Sequence, residues 1–228
     1  MALAINMLGE FQVLSDGAPV TLPPSRKTRA LFAYLAATGK TVRREYLCEM
    51  FWNIPDDPRG ALRWSLSKIR RILGEAEKDR LRADRETVRL DTAGLYSDVA
   101  ALGTLDEGVA SSLDAERLEE LAALFRGEFL EGLDLPNAHA FHAWCLAERE
   151  TMRARRKSIL LALLAKLPHD ARRALPHARR LVDIEPLDEA LRAQLIRLLV
   201  AVDRKGEANA VYEAGLTLAD DFDVPVSG

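Results

Sequence analysis

Leu62, Leu66, Ile69 and Leu73 recur at i, i+4, i+7 and i+11, which lays one apolar stripe along a helix beginning near Arg59. The chain before it changes period. Leu3, Ile5 and Met7 share one parity, Phe11 and Val13 follow, and Val20 and Leu22 come after the turn pair Asp16-Gly17, so residues 3–22 predict a small antiparallel sheet. Pro23-Pro24-Ser25 stops it. Ser25 is placed as the N-cap of a helix from about 26 to 37 that buries Leu31, Phe32 and Leu35 and ends at Gly39. Thr41 is placed as the cap of the next helix, about 43–51, with Leu47, Met50 and Phe51 inward. The loop Asn53-Ile54-Pro55-Asp56-Asp57-Pro58 then breaks the pattern ahead of the striped helix. After Gly74, Leu81-Arg82-Ala83 and Thr87-Val88-Arg89-Leu90 flank Asp84-Arg85-Glu86, which predicts a hairpin.

From Asp98 onward the periodicity is helical, with segments expected at roughly 99–110, 114–131, 138–167, 170–184, 188–202 and 206–219. Ala178 and Val182 recur as Ala208 and Tyr212, small then large at i and i+4. That spacing fits helix-pair repeats of the tetratricopeptide type, with an irregular helical bundle as the alternative. The fold class expected is therefore an α+β winged-helix domain over residues 1–97, followed by an all-α, tetratricopeptide-like helical domain over 98–228.

Charge separates the two halves further. Residues 1–97 hold 16 Lys+Arg against 12 Asp+Glu, net +4, whereas residues 98–228 hold 16 against 23, net −7. Eight of the basic residues fall within 59–82. On the striped helix Arg63, Ser67, Arg70 and Arg71 project away from the apolar face with Trp64 and Lys68 beside them, an array of donors suited to phosphates and base edges. A hairpin directly after such a helix is a wing, and Arg82 and Arg85 become candidate phosphate contacts. An anionic polymer, double-stranded DNA, is the ligand this half fits. The acidic half is expected to be a partner surface separable from DNA binding.

Other classes find little support. The 48% apolar and 29% charged composition is that of an ordinary soluble protein, with no apolar run approaching a membrane span and no signal-peptide pattern, so a cytoplasmic protein without membrane contact is expected. Cys48 and Cys145 suit reduced core thiols. His139, His142, Cys145 and Glu148 are spaced by three on one helix and drift about 60° per step around it, so no metal site is expected. His169 and His177 are placed near helix starts or on polar faces. No phosphate-cradling glycine motif, dinucleotide fingerprint or nucleophile elbow occurs, so neither a cofactor nor catalysis is expected.

The order of these pieces resembles the antibiotic-pathway regulators of the SARP type, which join an OmpR-like winged helix to a bacterial transcriptional activation domain. LGEFQV with Asp16-Gly17, PSRKTRALFAYLA (24–36), FW (51–52), LRWSLSKIRRILG (62–74) and VRLD followed by SDVAAL carry the resemblance in the first half; FRGEFLEGL (125–133), the Trp144, Glu148 and Arg149 cluster and EPLDEALRAQLIRLL (185–199) carry it in the second. The resemblance implies promoter binding through the basic helix and wing by two copies of the chain on direct repeats, with recruitment of RNA polymerase. It assigns Arg63, Ser67, Arg70 and Arg71 to the DNA-facing helix, with Arg63 and Ser67 as base readers. Two positions depart from the pattern. The hairpin tip has Asp84-Arg85-Glu86 in place of a Gly-rich sequence, and Trp64 occupies a position more often polar, where it either packs under the wing or touches a thymine methyl or sugar. The alternative function is an N-terminal helical-repeat interaction and regulatory module of a larger signalling protein.

Overall fold

The computed structural model describes residues 3–52 and 57–221, so residues 53–56 of the predicted Pro/Asp loop and the closing residues 222–228 lie outside the described residues. The chain divides into two compact units, Met1–Gly103 with Leu124–Met152 and Thr104–Ala123 with Arg153–Gly228.

In the first unit β1 (Leu3–Asn6), β2 (Gln12–Ser15) and β3 (Ala18–Pro19) form the antiparallel sheet that the alternation predicts, with Ile5 opposite Val13. Asp16 and Gly17 both adopt positive φ, 49° and 81°, the geometry of a two-residue hairpin turn that matches strand twist. A fourth strand, β7 (Tyr96–Ser97), joins in parallel beside β1. Helix α1 (Arg26–Thr38) starts where the Ser25 hydroxyl accepts the Thr28 N–H and ends at left-handed Gly39. Helix α2 (Arg44–Phe51) departs from expectation at its start. Its N-cap is Arg43 rather than Thr41, because Val42–Arg43 are drawn into a short strand, β4, against Val88 and Thr87. Helix α3 (Pro58–Glu77) follows, capped by Asp57 and turned at Gly74 (φ 76°), then a 3-10 turn and the hairpin β5 (Leu81–Ala83) and β6 (Thr87–Leu90). The second sheet runs β4-β6-β5.

Two helices read from the sequence are shorter than expected. The segment 99–110 breaks at Gly103 into α4 (Asp98–Leu102) and α5 (Glu107–Ser112). The segment 114–131 stops at Ala123, the end of α6 (Ala115–Ala123). Phe125–Gly132 leaves the helix because its backbone is taken by the N-terminal sheet: Arg126 N–H donates to Leu8 O (3.0 Å), Leu130 N–H to Met7 O (2.9 Å), Glu131 N–H to Gly9 O (3.1 Å), and Gly9 N–H donates to Glu128 O (2.9 Å). A Cβ at Gly9, whose φ is 124°, would lie 3.2 Å from the Gly127 nitrogen, so this close approach needs glycine. Arg149 then fixes the entry to helix α7 (His139–Lys166) by donating from Nε to Phe129 O (3.0 Å).

A single cut at residue 97 therefore does not follow the packing of the first unit. The Asp98 carboxylate is 3% exposed and accepts the N–H groups of Met7 (2.8 Å) and Leu8 (2.9 Å) at the end of β1, with Arg126 3.4 Å away. Phe141 and Trp144 of α7 lie against Phe51 and Tyr34, with ring centroids 5.3 and 4.9 Å apart. Both cysteines are free and buried, and burial pushes the Cys145 thiol up to about 12.

In the second unit α8 (Ala171–Ile184), α9 (Glu189–Ala201) and α10 (Lys205–Asp221) pack each against the next. Ala178 and Ala208 are both buried, whereas Val182 is partly covered and Tyr212 is exposed, so only the small position of the expected repeat is matched in burial. Arg173 clamps α8 to α6 by donating to Glu119 (2.7 and 2.9 Å) and Glu116 (3.1 Å).

His177 is buried rather than on a polar face, with Nε2 3.8 Å from Glu119 and Nδ1 without a hydrogen-bond partner among the described residues. Burial, then the charge of Arg180, pushes its pKa below the usual 6.5 despite Glu119. The unfolded chain binds the proton more readily, so stability is present above about pH 6.5 and is lost as pH falls below it. His177→Gln is expected to flatten the pH dependence of urea midpoints between about pH 7 and 5; an unchanged slope would remove His177 from the account.

Candidate nucleic-acid interface

Helix α3 is held by the face the sequence predicts. Leu62, Leu66, Ile69 and Leu73 are all buried, and Ser65 adds a buried hydroxyl contact to Thr28 of α1 (3.0 Å). That anchor fixes the helix rotation, so Arg63, Trp64, Ser67 and Arg71 are exposed while Lys68 and Arg70 are partly covered.

The exposed residues do not all remain available in the same way. Arg63 lies 3.9 Å from Asp57, with both side chains about 70% exposed. Trp64 is half exposed and the Lys68 ammonium sits 4.9 Å from its ring centroid, a cation–π contact. Arg70 turns back and donates from Nη2 to Leu81 O (3.2 Å), tying α3 to β5. Arg82, exposed on the edge strand β5, lies 3.8 Å from the Asp91 carboxylate that follows β6. Arg70→Ala is accordingly expected to lower stability by about 1–3 kcal/mol through the lost charge-assisted bond to Leu81 O. Unchanged urea midpoints for that variant would contradict the anchoring role.

The hairpin tip is ordered without glycine. Asp84 N–H donates to Thr87 O (3.1 Å), while the Asp84 carboxylate accepts from Thr87 N–H (2.7 Å), Glu86 N–H (2.8 Å) and the Thr87 hydroxyl (2.9 Å). Those bonds hold its carboxyl below the usual carboxylate range. Arg44 braces the tip from α2, its Nε donating to Asp84 O (2.7 Å) and its backbone N–H to Glu86 O (2.8 Å). Arg85 is presented outward on this turn.

Between α2, the start of α3 and the tip lies an open groove of about 960 Å³ into which Arg43, Arg44, Arg59, Arg63 and Arg85 all face, with Glu45, Asp84 and Glu86. Five guanidinium groups around one concavity make it an anion-attracting surface. Of the residues singled out from the sequence, Arg63 and Arg85 meet here. Ser67, Lys68 and Arg71 lie farther along α3, Arg70 is bonded to Leu81 O, and Arg82 is exposed on β5 outside the groove's lining. Arg43, Arg44 and Arg59 were not anticipated as site residues. The adjacent pair Arg43-Arg44 ahead of an apolar-periodic helix was the available signal.

On α7, His139 and His142 are exposed whereas Cys145 is buried, so the row spaced by three diverges around the helix. Among the described residues no three His, Cys, Asp or Glu side chains gather in a way that could hold a metal ion. No helix among them is long and apolar enough to cross a membrane.

Residues 75–227 match the family described as bacterial transcriptional activator domain. The fold is similar to the solved structure of Mycobacterium tuberculosis EmbR in complex with a low affinity phosphopeptide, at 24% identity and a TM-score of 0.71, over 99% of this chain. The alignment covers 62% of that solved chain, so the present chain spans less than two thirds of its length. No curated protein matches the sequence. The family match begins after Gly74 and leaves most of α3 and the N-terminal sheet to be understood from their own residues.

Proposed function

The chain belongs to the family of the bacterial transcriptional activator domain and is a transcriptional regulator of the SARP type, and from that premise we propose that it binds promoter DNA sequence-specifically and activates transcription. Residues 1–97 act as an OmpR-like winged helix, with α3 in the major groove and the β5–β6 hairpin along the adjacent backbone. Residues 98–228 supply a tetratricopeptide-like helical surface for RNA polymerase. Two copies bind on direct repeats, in the cytoplasm where the bacterial chromosome lies. The role is binding rather than catalysis.

The observation that carries this reading is the convergence of Arg43, Arg44, Arg59, Arg63 and Arg85 on one groove beside the exposed face of a rigidly anchored helix. Phosphate contacts there position the duplex, and Arg63 and Ser67 are offered to base edges.

A panel of operator variants separates the two roles. Arg63→Ala is expected to cost about 1–3 kcal/mol on the best operator and to relax the ranking of variants, whereas Arg85→Ala weakens all of them alike. An unchanged ranking with Arg63→Ala would move Arg63 among the phosphate contacts. Equal, undiminished binding by both variants would remove the groove from the interface.

A further inference from the structure

Two of the groove's arginines already lie beside carboxylates, one in its lining and one at the N-cap of α3. Arg59 Nη2 lies 3.4 Å from the Glu45 carboxylate and Arg63 Nη2 lies 3.9 Å from that of Asp57. All four side chains are about 70% exposed, and pairs that exposed contribute little to stability, about 0–1 kcal/mol. Their effect on a ligand is larger than their effect on the fold, because each carboxylate stands where a phosphate oxygen would meet the same guanidinium.

The acidic residues in and beside the groove differ in what they can do. Asp84 is held in the tip by three hydrogen bonds and cannot leave it without opening the turn. Glu45 sits in the first turn of α2 with its carboxylate in solvent. Asp57 caps α3 through Oδ1, which accepts the Gly60 N–H at 2.7 Å, while Oδ2 faces Arg63. Glu45 can swing away, and Asp57 can keep its cap while Arg63 turns outward.

We propose that Glu45 and Asp57 are built-in competitors for DNA phosphate, occupying Arg59 and Arg63 in the free protein and setting how tightly the groove holds any duplex. This rests on the DNA-binding reading above. Phosphates entering the groove exchange a carboxylate partner for a phosphate partner at each arginine, and the displaced carboxylate then lies near the backbone and repels it. The two acids thereby hold down binding to unrelated duplexes, which rests on phosphate contacts alone.

Double-mutant cycles on the full chain, read as affinity for an unrelated duplex at low salt, test the assignment. Glu45→Gln and Asp57→Asn are each expected to tighten binding about 3- to 10-fold, asparagine retaining the cap. The gain should vanish when Glu45→Gln is placed in the Arg59→Ala chain and when Asp57→Asn is placed in the Arg63→Ala chain. Glu49→Gln, an exposed change on the same helix outside the groove, measures the effect of net charge alone. A gain of equal size from Glu49→Gln, or a gain that survives loss of the paired arginine, would overturn the proposal while leaving the DNA-binding reading intact. Absence of duplex binding by the unsubstituted chain at low salt would overturn both.

Discussion

Asp98→Ala is expected to cost about 3–5 kcal/mol, the largest effect of any single polar substitution in the first unit. The residue sits at the start of α4, yet its carboxylate serves the far end of β1, taking the Met7 and Leu8 N–H groups ninety residues away in sequence along with the N–H of Val99. Alanine leaves those donors buried and unpartnered, and strands Arg126, whose other contact is Gln12 (2.9 Å). Each orphaned buried donor costs about 1–3 kcal/mol. Asp98→Asn retains one acceptor oxygen and should lose about half as much. Urea unfolding of the full chain, followed by intrinsic fluorescence, gives the comparison. A midpoint for Asp98→Ala within about 0.5 kcal/mol of the parent, the range of an ordinary surface substitution, would contradict the role assigned to the carboxylate.

The second large effect concerns truncation after residue 97, which is expected to leave a chain without a cooperative unfolding transition. From the sequence, the acidic half looked separable from DNA binding. The structure locates part of the first unit's core beyond that cut. Phe129 and Phe141 are buried, and Phe141 packs tilted against Phe51 while Trp144 meets Tyr34 edge to face. Removing one buried phenylalanine typically costs about 3–5 kcal/mol, and a domain's whole stability is about 5–15 kcal/mol. Truncation removes both phenylalanines, Trp144, Asp98 and the backbone partners of residues 7–9 together. Residues 1–97 alone should therefore show weak near-ultraviolet dichroism, no sharp melt and no footprint on DNA. A truncated chain that melts cooperatively and retains a footprint would restore the separable modules first expected.

What was legible in the sequence was what local chemistry decides. The stripe of α3, the Asp16-Gly17 turn, the Ser25 and Gly39 caps and the β5–β6 hairpin depend on residues close in the chain, and each is found where its signal lies. Strands β4 and β7 have two residues each and exist through pairing with β6 and β1, so no periodicity of their own announces them. FRGEFLEGL carries helical spacing, yet its backbone bonds go to residues 7–9, a partnership invisible to a local window.

The candidate site divides along the same line. Exposure of Arg63, Trp64, Ser67 and Arg71 follows from helical projection once the buried stripe is known. The fates of Arg70 and Arg82 follow from β5 and Asp91, which fold in from outside the helix. Arg43 and Arg44 enter the groove because β4 pairs with the hairpin and turns the start of α2 toward its tip, and Arg59 joins them from the first turn of α3.

Whether this groove and helix read promoter DNA is decided by equilibrium binding of the full chain to its own promoter fragment and to a shuffled fragment of equal length, titrated between about 50 and 200 mM salt. Binding at low salt should be tight to both, with a clear preference for the promoter sequence and a loss of at least about a hundredfold in affinity across the titration as arginine–phosphate contacts are screened. Binding that ignores salt, that shows no preference for the promoter, or that is absent at the lowest salt would contradict the promoter-reading role.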